Sequence, residues 1–280
     1  MIRSLFVTIS LVLAAIIAES QLKLVDLNIR YNNINDGENA WSLRKHHTVH
    51  WLKKQRADVY FFQEVLGEQL HDLTLALDEY EYYGVGREDG LNKGEFSPIF
   101  FKKDRFQIIS KKTIWLSPTP TIPSKGWDAA CERIYTQVLL YDLQLKDTIA
   151  LGNTHWDHVG TNARNHSAQL ITEELSQLPP HTPILLGGDF NCTYHDPALQ
   201  KLIEQYQIAG DELLWTTPSY HGFGTSNSSG CIDYVFFNTY WKLNSYHSVI
   251  THSIKKKDPK KHISDHNGFV FEFEPLIFDK

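Results

Sequence analysis

The chain has 280 residues, 42% of them hydrophobic, and a net charge of −6, which is long enough for one sizeable core. A mildly acidic balance lacks the broad basic footprint of a non-specific nucleic-acid binder. A bound divalent cation and a few local arginines can still offset phosphate charge.

The first twenty residues read as a processing segment. Arg3 precedes the apolar run "LFVTISLVLAAIIA", and the small-residue stretch "AES" before Gln21 suits cleavage. This predicts a signal peptide over 1–20, a secreted or periplasmic product, no membrane insertion after cleavage, and a single domain over 21–280. The run is short for a spanning helix.

In chain order, "LKLVDLNIR" (22–30) and "ADVYFFQEV" (57–65) are rich in strand formers, with a helix expected in "SLRKHHTVHWLKKQR" between them. "FSPIFFKK" is a further strand. The Pro/Ser/Thr-rich "LSPTPTIPSKG" (116–126) reads as one long loop. "RIYTQVLLYDL" and "TIALGNTHWD" (148–157) are strands, followed by a helix in "NARNHSAQLITEELSQL" whose Ala163, Leu170, Ile171, Leu175 and Leu178 share a face. "PILLGGDFN" (183–191), "IDYVFFN" and "GFVFEFE" complete the strands, and "KKKDPKK" is a basic, solvated turn.

The two strand–helix–strand stretches repeat a plan. Asn28 ends one strand and Glu64 the next, while His155 and Asp189 end the other two, at intervals of 36 and 34 residues. The repeat predicts that two similar units bring their strand ends to one rim. Much strand with fewer helices in mixed order gives an α/β (α+β) class of packed sheets flanked by helices.

Polar residues stand at the ends of apolar runs: Asn28, Glu64, His155, Asp189 and Asn191, Asp233, and Asp265–His266. One such residue is ordinarily a turn former, a cap or a packing histidine. Together they form an inventory suited to metal-assisted hydrolysis of a phosphate ester. Carboxylates offer hard oxygen ligands for Mg²⁺, and histidines supply proton transfer and charge stabilisation.

"LNIR", "QE", "GNTH", "GDFN", "IDYVF" and "SDH", in this order, resemble the endonuclease/exonuclease/phosphatase superfamily. That group includes DNase I-like nucleases, abasic-site endonucleases, neutral sphingomyelinases, inositol-phosphate 5-phosphatases and deadenylases. "YGVGREDG", "GEFSPIFF" and "PSKGWDAACERI" resemble its exported bacterial-type hydrolases. The resemblance implies a four-layer αββα sandwich with the active site at one edge.

By the same resemblance, Glu64 is the principal metal ligand, with Asn28 and Asp265 close by. Asp189 activates the attacking water, Asn191 helps hold water and phosphate, and His266, fixed by Asp233, contacts the phosphate. His155 stabilises the transition state or protonates the leaving oxygen. Arg133 matches a phosphate-facing position, and Arg87 is a second candidate that could instead pair with Glu88 or Asp89. The implied cofactor is Mg²⁺, with Mn²⁺ or Ca²⁺ as alternatives. The implied reaction is hydrolysis of a phosphodiester by a monomer, with nucleic acid ahead of phospholipid as substrate. A sphingomyelinase-like or sugar/inositol phosphate hydrolase, and a catalytically inactive binding module of the same fold, are the alternatives.

Other features stay outside the site or remain open. His46, His47 and His50 lack the glutamate of an H-E-x-x-H pattern and read as a solvated helix face. Of the sequons at Asn165, Asn191 and Asn227, Asn191 is expected to be unused, and Asn227 is the one a eukaryotic source would modify. Three cysteines permit at most one intramolecular disulfide. Cys192 and Cys231 each adjoin a site strand end, so a bridge between them is open, although spacing does not establish the separation a disulfide needs. Trp115 and Trp127 flank a loop that could line a substrate rim, meet a lipid surface, or pack on its own domain.

Overall fold

The computed structural model describes residues 21–249 and 262–276. The expected signal peptide (1–20) and the basic turn (255–261) lie outside the described residues. The elements run β1 (Leu22–Asn28), α1 (Trp41–Gln55), β2 (Val59–Gln63), α2 (Gly67–Ala76), β3 (Tyr80–Tyr83), β4 (Ile99–Lys102), β5 (Phe106–Trp115) and β6 (Ile134–Asp142). They continue with β7 (Asp147–His155), α3 (Thr161–Ser176), β8 (Ile184–Asp189), α4 (Pro197–Ile203), β9 (Gln207–Ile208), α5 (Glu212–Thr216), β10 (Asp233–Phe237), β11 (Trp241–Val249) and β12 (Gly268–Pro275).

Two six-stranded mixed sheets form, in the orders β11-β12-β1-β2-β4-β3 and β5-β6-β7-β8-β10-β9. The parallel pairs β1/β2 and β7/β8 occupy equivalent central places. Both pairs are almost wholly buried, as continuous apolar runs must be when both faces are covered.

Strand alternation assigns the faces. Leu24, Phe61 and Phe101 join Leu151, Leu186 and Val235 between the sheets. Val25, Leu27, Tyr60 and Phe62 turn the other way, onto Trp41 and Leu52 of α1 and Leu70 and Leu73 of α2. Burying one such large side chain is worth about 1.5–3 kcal/mol. Helix α3 packs Ala168, Ile171 and Leu175 into the same hydrophobic cluster as the second sheet, with Ala163 buried and Leu170 and Leu178 partly buried against that cluster, so the predicted apolar face is the one used. Helices outside two packed sheets give the four-layer sandwich, and among the described residues no helix is long and apolar enough to cross a membrane.

The two glycines of "GGDF" are required by close packing. A Cβ on Gly187 would lie 2.6 Å from the Phe61 ring, and one on Gly188, whose φ is 143°, would lie 2.0 Å from the Thr154 carbonyl oxygen. We expect Gly188→Ala to cost about 3 kcal/mol or more, from overpacking plus backbone strain. Urea denaturation measures this as a lower midpoint at unchanged slope; a loss below about 1 kcal/mol would show that the β7/β8 ladder yields easily.

The long loop packs on its own chain. Trp115 is buried and donates its indole N–H to the Arg87 carbonyl (2.6 Å). Trp127 stacks on His166 at 4.3 Å. The Asp128 carboxylate accepts from the N–H groups of Asn162 and Ala163, capping the start of α3. His46 and His50 are exposed on α1, as the solvated-face reading expects.

Candidate active site

The repeat delivers its strand ends to one rim. Asn28 lies opposite Gln63, with Glu64 next in the chain, and His155 lies opposite Asp189. On the other side of β8, Asp233 also faces Asp189. The segment 264–266 closes the site: Ser264 Oγ donates to the Asn28 carbonyl (2.5 Å), and the N–H groups of His221 and Gly222 donate to the Asp265 carbonyl.

Alternation along β2 would send Glu64 toward the helices, the side that Tyr60 and Phe62 take. Its φ of 60° breaks that alternation. Arg30 (59°), Asn191 (50°) and Phe223 (56°) are also left-handed. Such conformations cost on the order of 1–3 kcal/mol each and persist where surrounding structure over-determines them, commonly at functional sites.

One atom, Asp189 Oδ2, is the focus. It accepts from Asn28 Nδ2 at 3.0 Å and lies 3.6 Å from His155 Nε2 and 3.8 Å from His266 Nε2. The other oxygen, Oδ1, accepts from the Asn191 N–H (2.9 Å), while Asn191 Nδ2 donates to the Trp156 carbonyl (2.9 Å). An asparagine side chain engaged this way is poorly placed to carry a glycan. Asn28 Nδ2 also reaches Glu64 Oε1 at 3.1 Å, so one amide binds two carboxylates together.

The titratable groups are pushed apart in opposite directions. Burial raises the Asp189 pKa, and neighbouring Asp233 raises it further. Burial alone would lower the His266 pKa, but Asp233, bonded to its Nδ1 at 2.9 Å, together with Asp189 and Asp265, holds it well above the ordinary range. The His155 pKa is driven well below that range by burial and then by the Arg133 charge. One imidazole is therefore cationic and the other neutral at neutral pH, a split that assigns acid and base roles in a site.

Arg133 and Arg87 stand beside His155, each already facing an acid. Arg133 Nε donates to Asp157 (3.2 Å) and its Nη2 meets His158 Nδ1 (2.8 Å), leaving a buried Nη1 without a partner. Arg87 makes a two-pronged bond to Glu95, at 2.8 Å on both arms. Its partner is thus neither Glu88 nor Asp89, because the chain folds back and sets Arg87 N–H on the Glu95 carbonyl (3.1 Å). Asp89 instead accepts from Leu91 and Lys93 N–H inside the turn. The same Glu95 lies 3.6 Å from His155 Nδ1.

No bridge joins Cys192 and Cys231. Both are buried, unbridged thiols, and Cys231 Sγ lies 2.9 Å from the Asp233 carbonyl. The antiparallel β8/β10 register, with Asp189 opposite Asp233, continues to set Cys231 across from position 191 and not from Cys192.

The donor set suits a hard divalent cation. Ligand atoms of Glu64, Asp189 and His266 lie within 4.8 Å of one another. His266 is the weak member, since a protonated imidazole is no ligand. The oxygens of Glu64 and Asp265 flank the Arg30 guanidinium, at 3.9 and 3.6 Å. Asn28 points its amide nitrogen at the acids and its Oδ1 at Arg30 N–H (2.9 Å); it can ligate only if the amide turns over, an orientation assigned from the hydrogen-bond network.

Several residues here escaped the sequence reading: Arg30, Glu95, Asp157, His158, Asp26 and Tyr220. Arg30, Asp26, Glu95 and Asp157 stood inside quoted stretches without being singled out, and His158 and Tyr220 stood outside them. Tyr220 packs its ring 5.0 Å from His266. Asp26 is fully buried between the sheets and takes Gln63 Nε2 at 2.9 Å; burial, then Asp233, raises its pKa well above the carboxylate range.

Comparison with known proteins agrees with this geometry. The sequence model of the Endonuclease/Exonuclease/phosphatase family matches residues 27–266. An endonuclease/exonuclease/phosphatase from Bacteroides vulgatus is 30% identical, with a TM-score of 0.83 over 91% of this chain and 99% of that one. A mannosyl-6-phosphatase from Bacteroides thetaiotaomicron is 28% identical, with a TM-score of 0.81 over 92% of this chain and 100% of that one. A protein of Acanthamoeba polyphaga mimivirus is 22% identical over 181 residues, which is 53% of this chain and only 26% of that curated relative. With the family match covering most of the chain and the strand ends meeting at one rim, the protein belongs to the endonuclease/exonuclease/phosphatase family.

Proposed function

We propose that the protein is a divalent-metal-dependent phosphoesterase in which Asp189 takes the proton of the attacking water. The convergence of Asn28, His155 and His266 on Asp189 Oδ2 carries this reading. Glu64 and Asp265 would hold the cation, with Asn28 beside them. When bound, the cation polarises a phosphoryl oxygen and offsets developing charge.

The protein's own groups supply the remaining steps. Asn28 orients Asp189 through its amide, and the Asn191 backbone N–H fixes the second carboxylate oxygen. Cationic His266, held by Asp233, is suited to stabilise negative charge on the phosphoryl oxygens. His155 is suited to hydrogen-bond the phosphoryl or leaving oxygen. Arg133, through its unpartnered Nη1, is suited to phosphate contact.

The charge arrangement supports a compact phosphate ester, such as a sugar phosphate, ahead of a long polyanion. Arg30, Arg87 and Arg133 each already face a carboxylate, which leaves these arginines little uncompensated charge for the run of phosphates that nucleic-acid binding neutralises. The likeness to a mannosyl-6-phosphatase supports the same choice. Nucleic-acid phosphodiester hydrolysis is the second reading, supported by the pair of histidines around Asp189. The apolar segment before Gln21 supports export.

The test is a substrate panel of sugar phosphates, bis(p-nitrophenyl) phosphate, DNA, RNA and sphingomyelin with Mg²⁺, Mn²⁺ or Ca²⁺. We expect turnover of a small phosphate ester that EDTA abolishes, Mg²⁺ restores and Glu64→Gln lacks. Faster cleavage of DNA or RNA would favour the second reading. Silence on every substrate with every cation would indicate an inactive binding module.

A further inference from the structure

Arg30 sits between the residues assigned to the cation, and nothing in the hydrolytic scheme requires a permanent positive charge there. Its backbone is pinned in the left-handed region (φ 59°). Arg30 N–H donates to Asn28 Oδ1, and the Arg30 carbonyl accepts from Arg44 Nη2 (2.7 Å) and Gln69 Nε2 (2.9 Å). From this anchor the guanidinium makes a two-pronged bond to Asp36, at 3.0 Å on both arms. It also approaches Asp265 Oδ2 (3.6 Å) and Glu64 Oε2 (3.9 Å), and lies over the Tyr31 ring at 4.2 Å. Three carboxylates therefore share one fixed cation, and two of them are the proposed metal-holding acids.

We propose that Arg30 is a built-in competitor of the divalent cation, a positioning residue that holds Glu64 and Asp265 together without metal and loosens metal binding. This rests on the metal-dependent reading above. Without an ion, two neighbouring acids repel, and the guanidinium screens them. With an ion present, two positive charges face the same oxygens at contact range, and their repulsion lowers affinity. Asp36 sets the balance. Its carboxylate holds the guanidinium through two short bonds, against the pull of the oxygens that the ion would take.

Mn²⁺ binding to the full-length chain, followed by electron paramagnetic resonance of free Mn²⁺, reads this directly without turnover. Arg30→Gln should bind Mn²⁺ about ten-fold more tightly than wild type, within the usual range of a coupling between charged sites. Arg30→Lys, which keeps the charge, should stay within about three-fold. Asp36→Asn should bind more weakly, because the guanidinium then rests on Glu64 and Asp265 alone. Unchanged or weaker binding by Arg30→Gln would overturn the proposal. If Arg30→Gln does not fold, tighter or unchanged binding by Asp36→Asn overturns it instead. Glu64→Gln separates the two readings: if wild type binds Mn²⁺ and Glu64→Gln binds it equally well, the metal site itself is wrong. If Glu64→Gln loses the ion while Arg30→Gln matches wild type, only the role of Arg30 is wrong.

Discussion

Asp189→Asn is expected to lower kcat/KM by about 10³–10⁴-fold while the protein stays folded. The substitution keeps the shape of the side chain and an oxygen for the Asn191 N–H or the Asn28 amide. What it removes is the ability to accept a proton from water. It also removes a buried negative charge beside Asp233, the neighbour that with burial drives the Asp189 pKa up. The thermal midpoint at neutral pH should therefore be unchanged or higher. Circular dichroism melts and initial rates, taken on the same preparation, check both halves. Turnover within about ten-fold of wild type would mean that another group activates the water.

His266→Ala should cost activity and stability together. Activity falls by about 10³-fold, the scale of losing one positioned charge-stabilising group. Stability falls by about 3–5 kcal/mol, because removing one member of a buried ion pair strands the other. The stranded group is Asp233, already close to Asp189 and Asp26, and its Oδ1 has no hydrogen-bond partner. Adding Asp233→Asn to His266→Ala should recover most of the stability and none of the rate, a non-additivity that a double-mutant cycle measures. If the double variant is no more stable than the single one, the pair is not what holds this region.

The same pair fixes the direction of a pH effect. The folded-state pKa of His266 is raised, so its stabilising contribution is complete below the unfolded histidine pKa and is lost as pH rises through the folded value. Asp233→Asn alone removes the bonded partner that raises it. The alkaline limb of the pH–rate profile should then move to lower pH. A profile that did not move would exclude imidazolium as the active form of His266.

Much of this site was legible along the chain. Each of Asn28, Glu64, His155, Asp189, Asp233 and His266 stands at the end of an apolar run, and the repeat spacing placed the first four at equivalent strand ends. In the structure the two parallel pairs occupy matching positions in their sheets, which is why the ends meet. A strand end is predictable because burial on both faces favours a mainly apolar run, and the polar residue that closes it stands where the strand gives way to a loop.

Residues met through loops were harder to place. Glu95 reaches Arg87 only because the 86–95 segment folds back, while the carboxylate of nearby Asp89 is spent inside the turn. Asp157 belonged to the quoted strand "TIALGNTHWD", but its bonds to Arg133 and to the start of α3 depend on how two segments meet. The cysteine pairing stayed open along the chain, and both thiols are unbridged in the structure. The strand register sets Cys231 across from position 191, and spacing in sequence does not record a register.

Along the chain, period-two burial carried the fold class, the polar ends of apolar runs carried the six strand-end residues, and the resemblance of motifs such as "GDFN" and "SDH" carried the family. The tertiary structure alone decided which charges face which. Arg30 lies among Asp36, Glu64 and Asp265, and His155 is neutral where His266 is charged. Electrostatic energy depends on separation and burial in space, and residues distant along the chain acquire both only when strands pair and the two sheets close on each other.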